Sequence, residues 1–183
     1  MARLRGDASL AFVAGAMTVK YAYYEGPLGK VLLTAANGAL TGLHFVNEKY
    51  YPGVSRDWQC DASDAVIGST MLQLDEYFSG KRTSFDVPLT PQGTEFQRQV
   101  WTILTTLRYG ETVSYGDLAQ RIGNAKAVRA VGAANGRNPI SIVIPCHRVI
   151  GADGSLTGYA GGLERKEFLL RLESERLEFR LRP

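Results

Sequence analysis

The sequence predicts an α+β protein built from two domains. Three observations predict it. Residues 18–46 alternate apolar and polar side chains as strands do, residues 94–175 repeat apolar residues at helical steps, and residues 90–93 break the pattern between them. The domains are therefore expected at 17–89 and 94–175, with 90–93 as the linker. A chain of 183 residues with 45% hydrophobic and 21% charged residues is long enough for this and is globular rather than disordered.

The first domain is expected to contain short strands and one helix. A Gly-Pro turn at 26–27 separates the first two strands, and the Asn-Gly pair at 37–38 favours a tight hairpin between the next two. Residues 64–79 carry apolar residues at three- and four-residue steps, which predicts a helix. Residues 47–62 are expected to be a loop, and Thr83–Leu89 a final strand.

The second domain begins with three predicted helices. Thr94 starts the first, which should run to about Arg108, and Ser114 caps the second over 115–122. The third covers 125–135, is rich in Ala and Gly, and should turn Val128 and Val131 inward. The last two helices, with a glycine turn between them, form a helix-turn-helix pattern.

The remaining segments complete the predicted organisation. Ile142–Ile144 is a short buried strand, and Leu163–Glu175 is the last helix, followed by a tail at 176–183. Residues 1–16 carry two arginines before a short apolar stretch. We interpret them as a disordered leader rather than an export signal.

Charge is unevenly distributed along the chain. The net charge is +3, yet residues 96–148 hold seven basic residues against two acidic ones. A basic segment inside a folded region favours a polyanionic partner, although an ordinary solvated face has the same composition. No apolar run is long enough to cross a membrane, so a membrane partner is not expected.

The sharpest chemical feature is the run Pro145-Cys146-His147-Arg148. A cysteine beside a histidine and an arginine is expected to have a pKa below the free value of about 8.5, and its thiolate is then a nucleophile. The alternative is a buried and inert cysteine. Neighbours in an extended chain point to opposite faces, so His147 would act on Cys146 through a turn or a bridging water, with Glu173 as its orienting acid.

From about Phe96 to Glu173 the sequence resembles the O6-alkylguanine-DNA alkyltransferases. The matching stretches are Phe96-Gln-Arg-Gln-Val-Trp101, Tyr109-Gly-Glu-Thr-Val-Ser-Tyr115, Ala130-Val-Gly-Ala133, Asn138-Pro139, Ile144-Pro-Cys-His-Arg-Val-Ile150 and Gly158-Tyr-Ala-Gly-Gly162. The resemblance implies a small N-terminal α/β domain of ribonuclease-H-like shape. It also implies a mainly helical, winged-helix-like C-terminal domain that carries the helix-turn-helix.

The resemblance also implies catalytic roles. Cys146 accepts the alkyl group, His147 deprotonates it through a water, and Glu173 orients His147. Tyr115 helps to rotate the target base out of the helix and donates to the guanine ring. Arg129 fills the place that the base leaves in the stack.

Further roles follow from the same resemblance. Asn138 is the hinge that ties the helix-turn-helix to the active-site segment. The residues that it places on DNA are Tyr115, Lys126, Ala127, Arg129, Ala130 and Gly132. The residues that it places around the substrate, besides Asn138, are the main-chain carbonyls of Cys146 and Val149, together with Tyr159, Ala160 and Lys166. Ala160 stands where many relatives have serine, which removes a hydroxyl but keeps the backbone N–H.

The implied activity is that of a methylated-DNA–[protein]-cysteine S-methyltransferase that acts once. The partner is double-stranded DNA containing O6-alkylguanine, with O4-alkylthymine as a second substrate, and the chain is expected to be a cytoplasmic monomer. No cofactor is expected. The structural zinc of some relatives is not expected either, because His44 and Cys60 are the only candidate ligands outside the motif.

Three other functions share parts of this pattern. An alkyltransferase-like protein that only flags lesions would lack Cys146. A thiol hydrolase would turn over and would need a distant histidine, for which only His44 is available. A plain helix-turn-helix regulator would be indifferent to the lesion.

Overall fold

Four strands form the sheet of the first domain. The computed structural model describes residues 18–181, with side chains through residue 175; the expected leader at 1–16 lies outside this part of the chain. β1 (Lys20–Gly26), β2 (Gly29–Ala36) and β3 (Ala39–Phe45) pair antiparallel. The expected loop contains a fourth, two-residue strand, β4 (Gln59–Cys60), which pairs parallel with β1 and gives the order β3-β2-β1-β4.

The predicted hairpin between β2 and β3 is confirmed. Asn37 and Gly38 have φ values of 52° and 73°. Both residues of a tight type I′ turn need positive φ, which asparagine and glycine adopt most easily.

One helix packs on this sheet, and the expected final strand is wrong. α1 (Ala65–Phe78) begins at Asp64, whose side chain accepts from the amides of the first turn. Residues 83–89 are irregular and make a single bridge, between Leu89 and Leu40 of β3. Pro88 has no N–H to donate, so the ladder does not extend.

α2 (Glu95–Leu104) starts at the predicted capping box of Thr94 and Gln97. It ends at Leu104, before the predicted Arg108. The hydroxyls of Thr105 and Thr106 bond to carbonyls of the preceding turn, which competes with continued helix.

The helix-turn-helix consists of α3 (Tyr115–Arg121) and α4 (Val128–Gly136), joined through a 3-10 turn at Ala125–Ala127. Val131 is buried as predicted, but the inward orientation predicted for Val128 is wrong, because Val128 is 38% exposed. The single tight turn has three residues per turn rather than 3.6, so it shifts the phase of the residues that enter α4.

The predicted strand at 142–144 is also wrong. These residues are buried but form a turn, in which Ile142 has a φ of 70°. The strands of this region are instead β5 (Val113–Ser114) and β6 (Val149–Ile150), which pair parallel. A 3-10 turn at Cys146–Arg148 precedes β6.

α5 (Leu163–Leu181) runs six residues beyond the predicted end at Glu175, into the segment expected to be a tail. Its inner face contributes the buried residues Lys166, Leu169 and Glu173 to the second domain. Within residues 18–181 no helix is long and apolar enough to cross a bilayer.

The two domains are joined through the outer edge of β3. The Leu43 amide donates to the Pro139 carbonyl at 2.8 Å, and the Leu43 carbonyl accepts from the Ser141 amide at 3.0 Å. The segment that precedes the reactive cysteine therefore covers the edge strand of the first domain, an edge that would otherwise expose unpaired backbone groups.

Candidate active site and DNA-facing helix

The thiol of Cys146 lies at the end of a buried loop that one asparagine organises. The Asn138 side-chain amide donates to Cys146 Sγ at 3.0 Å and to the Ile144 carbonyl at 2.8 Å. Its oxygen accepts from the Ile140 amide at 3.0 Å. Asn138 thus satisfies the backbone of the turn on which the cysteine stands and places a donor on the sulfur, as expected of a hinge residue.

His147 and Arg148 both turn toward the carboxylate of Glu173. His147 Nε2 lies 3.0 Å from Glu173 Oε1, within the 4 Å that an orienting role requires. The Arg148 guanidinium makes a two-pronged contact with the same carboxylate, at 2.8 and 2.9 Å. The third guanidinium nitrogen donates to the Leu107 carbonyl at 2.7 Å.

Glu173 receives two further donors, and one comes from the first domain. The Tyr77 hydroxyl of α1 donates to Oε1 at 2.7 Å, and the Gly110 amide donates to Oε2 at 2.9 Å. Burial raises the pKa of the Glu173 carboxyl, but the hydrogen bond from His147 and the hydrogen bonds and charge of Arg148 outweigh it and hold that pKa well below its usual range. The carboxylate is therefore ionised although it is fully buried.

The histidine is neutral and has its basic nitrogen free. Burial lowers the pKa of His147 and outweighs the opposing effect of Glu173. Because Nε2 faces a carboxylate, it must carry the proton of the neutral ring, which leaves Nδ1 as an acceptor. Nδ1 is buried and has no hydrogen-bond partner among the described residues.

The expected low pKa of Cys146 is wrong for the protein without DNA. Burial raises the pKa of this thiol to about 11; the Asn138 donor opposes the shift, and the nearby Glu48 carboxylate adds to it. The two basic residues that follow Cys146 do not lower the pKa of the thiol, because His147 is neutral and the charge of Arg148 is neutralised by Glu173. The thiol is therefore protonated at rest, and its proton must leave when it reacts.

The loop after β6 is held by two residues predicted to bind substrate or DNA. The Lys166 ammonium, which is fully buried, donates to the carbonyls of Val149 and Thr157 at 2.5 Å each, and burial lowers its pKa to about 8. The Tyr115 hydroxyl lies 3.1 Å from the Thr157 carbonyl and 3.4 Å from that of Gly158. Tyr115 and Lys166 thus bracket the loop that leads to Tyr159 and Ala160.

A cavity of about 270 Å³ opens between this loop and α4. Its walls are formed by small residues of α4, by the loop, and by two residues of the first domain. The lining residues are Gly132, Ala133, Gly136, Gly158, Tyr159, Ala160, Lys49 and Tyr50. Clefts of about this size hold small ligands. The cleft lies between α4, which the sequence assigns to DNA binding, and the loop after β6, which it assigns to the substrate.

The outer face of the helix-turn-helix is smooth and carries two cations. Arg129 and Lys126 are exposed, Ala130 is exposed beside them, and Ala127 and Gly132 are partly exposed. Small side chains let a helix backbone approach a surface closely. All the residues assigned to DNA are therefore at least partly accessible, and Tyr115 adjoins α4, because its ring would lie 3.7 Å from a Cβ at Gly132.

Several residues of the site were not found from the sequence. Arg148 was seen only as a neighbour of the cysteine, and Tyr77 only as a core residue of a helix. Asn135 is buried in α4 and lies with its side-chain nitrogen 3.4 Å from the Cys146 carbonyl, one of the predicted substrate acceptors. Lys49 and Tyr50 sit in a segment without a motif. Of these residues, only Arg148 could have been identified from the sequence, because it belongs to the Cys-His-Arg run.

Comparison with known proteins agrees with both domains. The family model of the 6-O-methylguanine DNA methyltransferase ribonuclease-like domain matches residues 19–91, and that of the DNA binding domain matches residues 95–175. A methylated-DNA–protein-cysteine methyltransferase of Methanosarcina acetivorans is 50% identical over 153 residues, which cover 84% of this chain and 97% of that protein. One from Mycolicibacterium paratuberculosis is 50% identical over 155 residues, covering 85% and 92%.

The fold is likewise similar to a solved relative. The crystal structure of Mycobacterium tuberculosis OGT in complex with DNA has a TM-score of 0.79 at 45% identity and covers 86% of this chain and 94% of that one. The two matched family models span the described fold nearly from end to end. The chain therefore belongs to the 6-O-methylguanine DNA methyltransferase family, with its ribonuclease-like and DNA-binding domains.

Proposed function

We propose that this protein repairs alkylated DNA by moving the alkyl group from O6 of guanine, and from O4 of thymine, to Cys146. One observation carries the proposal: a buried thiol touched by Asn138 stands next to a neutral histidine that Glu173 holds by its other nitrogen. This is the arrangement of a nucleophile, a base and an orienting acid. Family membership adds the substrate class, because the similar curated proteins are named for methylated DNA and a protein cysteine.

The transfer step balances as a displacement at carbon. The Cys146 thiol gives its proton, through a bridging water, to His147 Nδ1, and the sulfur forms a bond to the alkyl carbon. The bond from that carbon to O6 breaks, and its electron pair stays on the guanine, to which the Tyr115 hydroxyl gives its proton. The charge of the tyrosinate left behind is balanced by the proton now on His147. The thioether is stable and nothing in the step restores the thiol, so each molecule acts once.

The target base must leave the duplex to reach this thiol. Extrusion costs a few kcal/mol, and Arg129 on the exposed face of α4 offsets part of it by filling the gap in the stack. The small residues beside it bring α4 against the DNA backbone. Contacts of this kind position the protein without reading sequence, which suits damage that occurs anywhere.

The remaining expectations extend the same proposal. The relative from M. tuberculosis was solved in complex with DNA, which supports DNA as the partner here. We place the protein in the cytoplasm with access to chromosomal DNA, acting as a monomer on duplexes that contain O6-alkylguanine. Asn138, Val149, Tyr159, Ala160 and Lys166 surround the extruded base.

The test is a stoichiometric transfer assay with two substrates, a duplex containing O6-methylguanine and the free methylated base. The parent should transfer one methyl group per molecule and then stop. Cys146→Ala should transfer none while binding the duplex nearly as well. Arg129→Ala should lose far more activity on the duplex than on the free base, because the free base needs no extrusion.

Each competing function has its own outcome in this assay. Release of several methyl equivalents per molecule would indicate a thiol hydrolase. Binding of the lesion without transfer would indicate a flagging protein, and indifference to the lesion a regulator. Any of these three results in the parent protein would overturn the proposal.

A further inference from the structure

His147 shares its acceptor on Glu173 with a residue of the first domain. Glu173 Oε1 accepts from the Tyr77 hydroxyl at 2.7 Å and from Arg148 at 2.8 Å, and it lies 3.0 Å from His147 Nε2. The other oxygen, Oε2, accepts from Arg148 and from the Gly110 amide at 2.9 Å each. Because a carboxylate oxygen offers about two lone pairs, the three donors on Oε1 compete for its charge.

The Tyr77 hydroxyl is a fixed and permanent donor. Tyr77 is 1% exposed, and its ring centre lies 5.4 Å from those of Phe78 and Phe85 and 5.9 Å from that of Tyr109. Burial and the negative charge of Glu173 raise the pKa of the Tyr77 hydroxyl well above its ordinary value. The hydroxyl therefore keeps its proton at neutral pH and can only donate to the carboxylate.

The charge of Glu173 controls how readily His147 takes a second proton. The charged groups that face the imidazole are Glu173 and Lys166 of α5 and Arg148 of its own loop, and the adjacent thiol is protonated. Of these groups Glu173 is the negative one, so it favours the charged ring while the two cations oppose it. From α1, the neutral Tyr77 hydroxyl faces the same carboxylate oxygen.

We propose that Tyr77 is a positioning residue of the first domain that limits how strongly Glu173 attracts the His147 imidazole. While its hydroxyl donates to Oε1, part of the charge on that oxygen is neutralised. His147 then stays neutral at rest and keeps Nδ1 available for the proton of Cys146. Tyr77 acts through Glu173, and this inference rests on the proposed function, since it concerns the base of that same transfer step.

The test is Tyr77→Phe, which keeps the buried ring and removes the hydroxyl. The bond from His147 Nε2 to Glu173 should strengthen, so the nuclear magnetic resonance signal of the Nε2 proton should move downfield. His44, the other histidine of the sequence, faces Glu48 through Nδ1, so nitrogen-15 spectra distinguish the two rings. This measurement needs no substrate.

The second measurement is the pH dependence of transfer from free O6-methylguanine, which involves no contact with DNA. His147 acts as a base only while it is neutral, so the rate falls as pH drops through the pKa of His147. Tyr77→Phe raises that pKa, and the midpoint of the fall should therefore lie about 0.5–1 pH unit higher than in the parent.

Tyr24→Phe is the matched control. The Tyr24 hydroxyl donates at 2.8 Å to Asp75 of α1, so this variant also removes a hydrogen bond between a buried tyrosine and a carboxylate. Asp75 does not hold His147, and the control should keep both the histidine signal and the midpoint of the parent. Melting temperatures of the two variants measure the loss of stability separately.

An Nε2 proton signal or a midpoint that stays at the parent value in Tyr77→Phe would overturn the inference and make Tyr77 a packing residue. An upfield shift would overturn it too, because the hydroxyl would then strengthen the contact between Glu173 and His147. Failure of the parent to transfer methyl would instead count against the proposed function, and the histidine spectrum would still test Tyr77.

Discussion

At the scale of single residues, the thiol of Cys146 has a pKa that burial raises to about 11. We expect the rate of its modification by iodoacetamide to rise about tenfold per pH unit from 7.5 to 9.5, because the reactive thiolate remains a minor species over that range. The measurement uses Cys60→Ser protein, so that Cys146 is the only thiol. The same protein in denaturant is the control and should level as pH passes about 8.5. If the rate of modification in the folded protein stops rising at or below that pH, the pKa of Cys146 is low, as the sequence predicted.

Glu173 should matter to stability as well as to transfer. Glu173→Gln leaves the buried Arg148 without its counter-charge, so we expect a loss of about 3–5 kcal/mol in the free energy of unfolding at pH 7. Transfer should slow without stopping, since glutamine can still hold the imidazole, whereas His147→Ala removes the base and should be worse. Glu175→Gln is the control on the same helix, because its ion pair among the described side chains is an exposed one at 3.8 Å with Arg171, and it should change little.

The stability difference caused by Glu173→Gln should also depend on pH. The pKa of Glu173 is lower in the folded protein than in the unfolded chain, so acid adds protons to the unfolded state first. The advantage of the carboxylate is therefore complete above about pH 5 and shrinks as pH falls below about 4.3, the ordinary value for glutamate. Denaturant titrations of parent and variant at pH 7, 5 and 4 measure this. A difference that stays constant over that range would show that Glu173 is not ionised in the fold.

At the scale of elements, the start of α2 depends on a glycine in the linker. A Cβ at Gly93 would lie 2.5 Å from the ring of Trp101, which is buried and bonded through its indole nitrogen to the Ala134 carbonyl at 2.9 Å. Gly93→Ala should therefore destabilise the protein by about 1–3 kcal/mol, since the ring cannot withdraw without losing its contact with α4. Gly68→Ala in α1 is the matched control.

The two glycine substitutions should differ in sign. Nothing lies within 4 Å of a Cβ at Gly68, so alanine there should stabilise the protein by about 0.5–1 kcal/mol through helix propensity. Thermal or denaturant unfolding of both variants measures the difference. Equal effects would mean that the contact between linker and Trp101 does not constrain α2.

The elements also show what a sequence can predict. The helices with a strong apolar stripe were found, because spacing encodes the face that they bury. The sequence predicts a strand at 142–144 where the structure has a turn, since a short buried run of branched residues has the same pattern in either state. What decides between them is Asn138, which satisfies the carbonyl of Ile144 and the amide of Ile140 in place of a neighbouring strand.

The sequence also predicted only part of the site, namely the residues that belong to the motif. A motif identifies residue types in order, and it led to Cys146, His147 and the contact with Glu173. A motif does not give the direction or burial of side chains. The sequence therefore predicted a lowered pKa for Cys146, whereas burial raises it. Tyr77 and Tyr50 enter the site from the first domain through the packing of the whole chain, which no local pattern records.

At the scale of the whole molecule, fewer charges face DNA than the sequence suggests. Of the seven basic residues in 96–148, Arg148 is buried against Glu173 and Arg121 pairs with Glu111 at 3.0 Å. Five remain exposed and outside these pairs: Arg98, Arg108, Lys126, Arg129 and Arg137. The slope of log affinity against log salt on undamaged duplex should then lie between about −2 and −5.

This slope can be measured by titration over salt on duplexes of differing sequence. Lys126→Ala should make the slope less steep by about 1, whereas Arg148→Ala should unfold or destabilise the protein without that effect. A flat response to salt, or strong preference for one undamaged sequence, would contradict backbone-directed binding.

The hydroxyl of Tyr77 reaches from the first domain to the carboxylate that holds His147. The geometry of the active site thus depends partly on the ribonuclease-like domain and not only on the DNA-binding domain. In a population, substitutions that destabilise α1 or β3 would reduce repair and so raise the mutation rate, although the substituted residues do not contact the damaged base. A survey for disabling variants confined to the cysteine loop and the DNA-facing helix would pass over them.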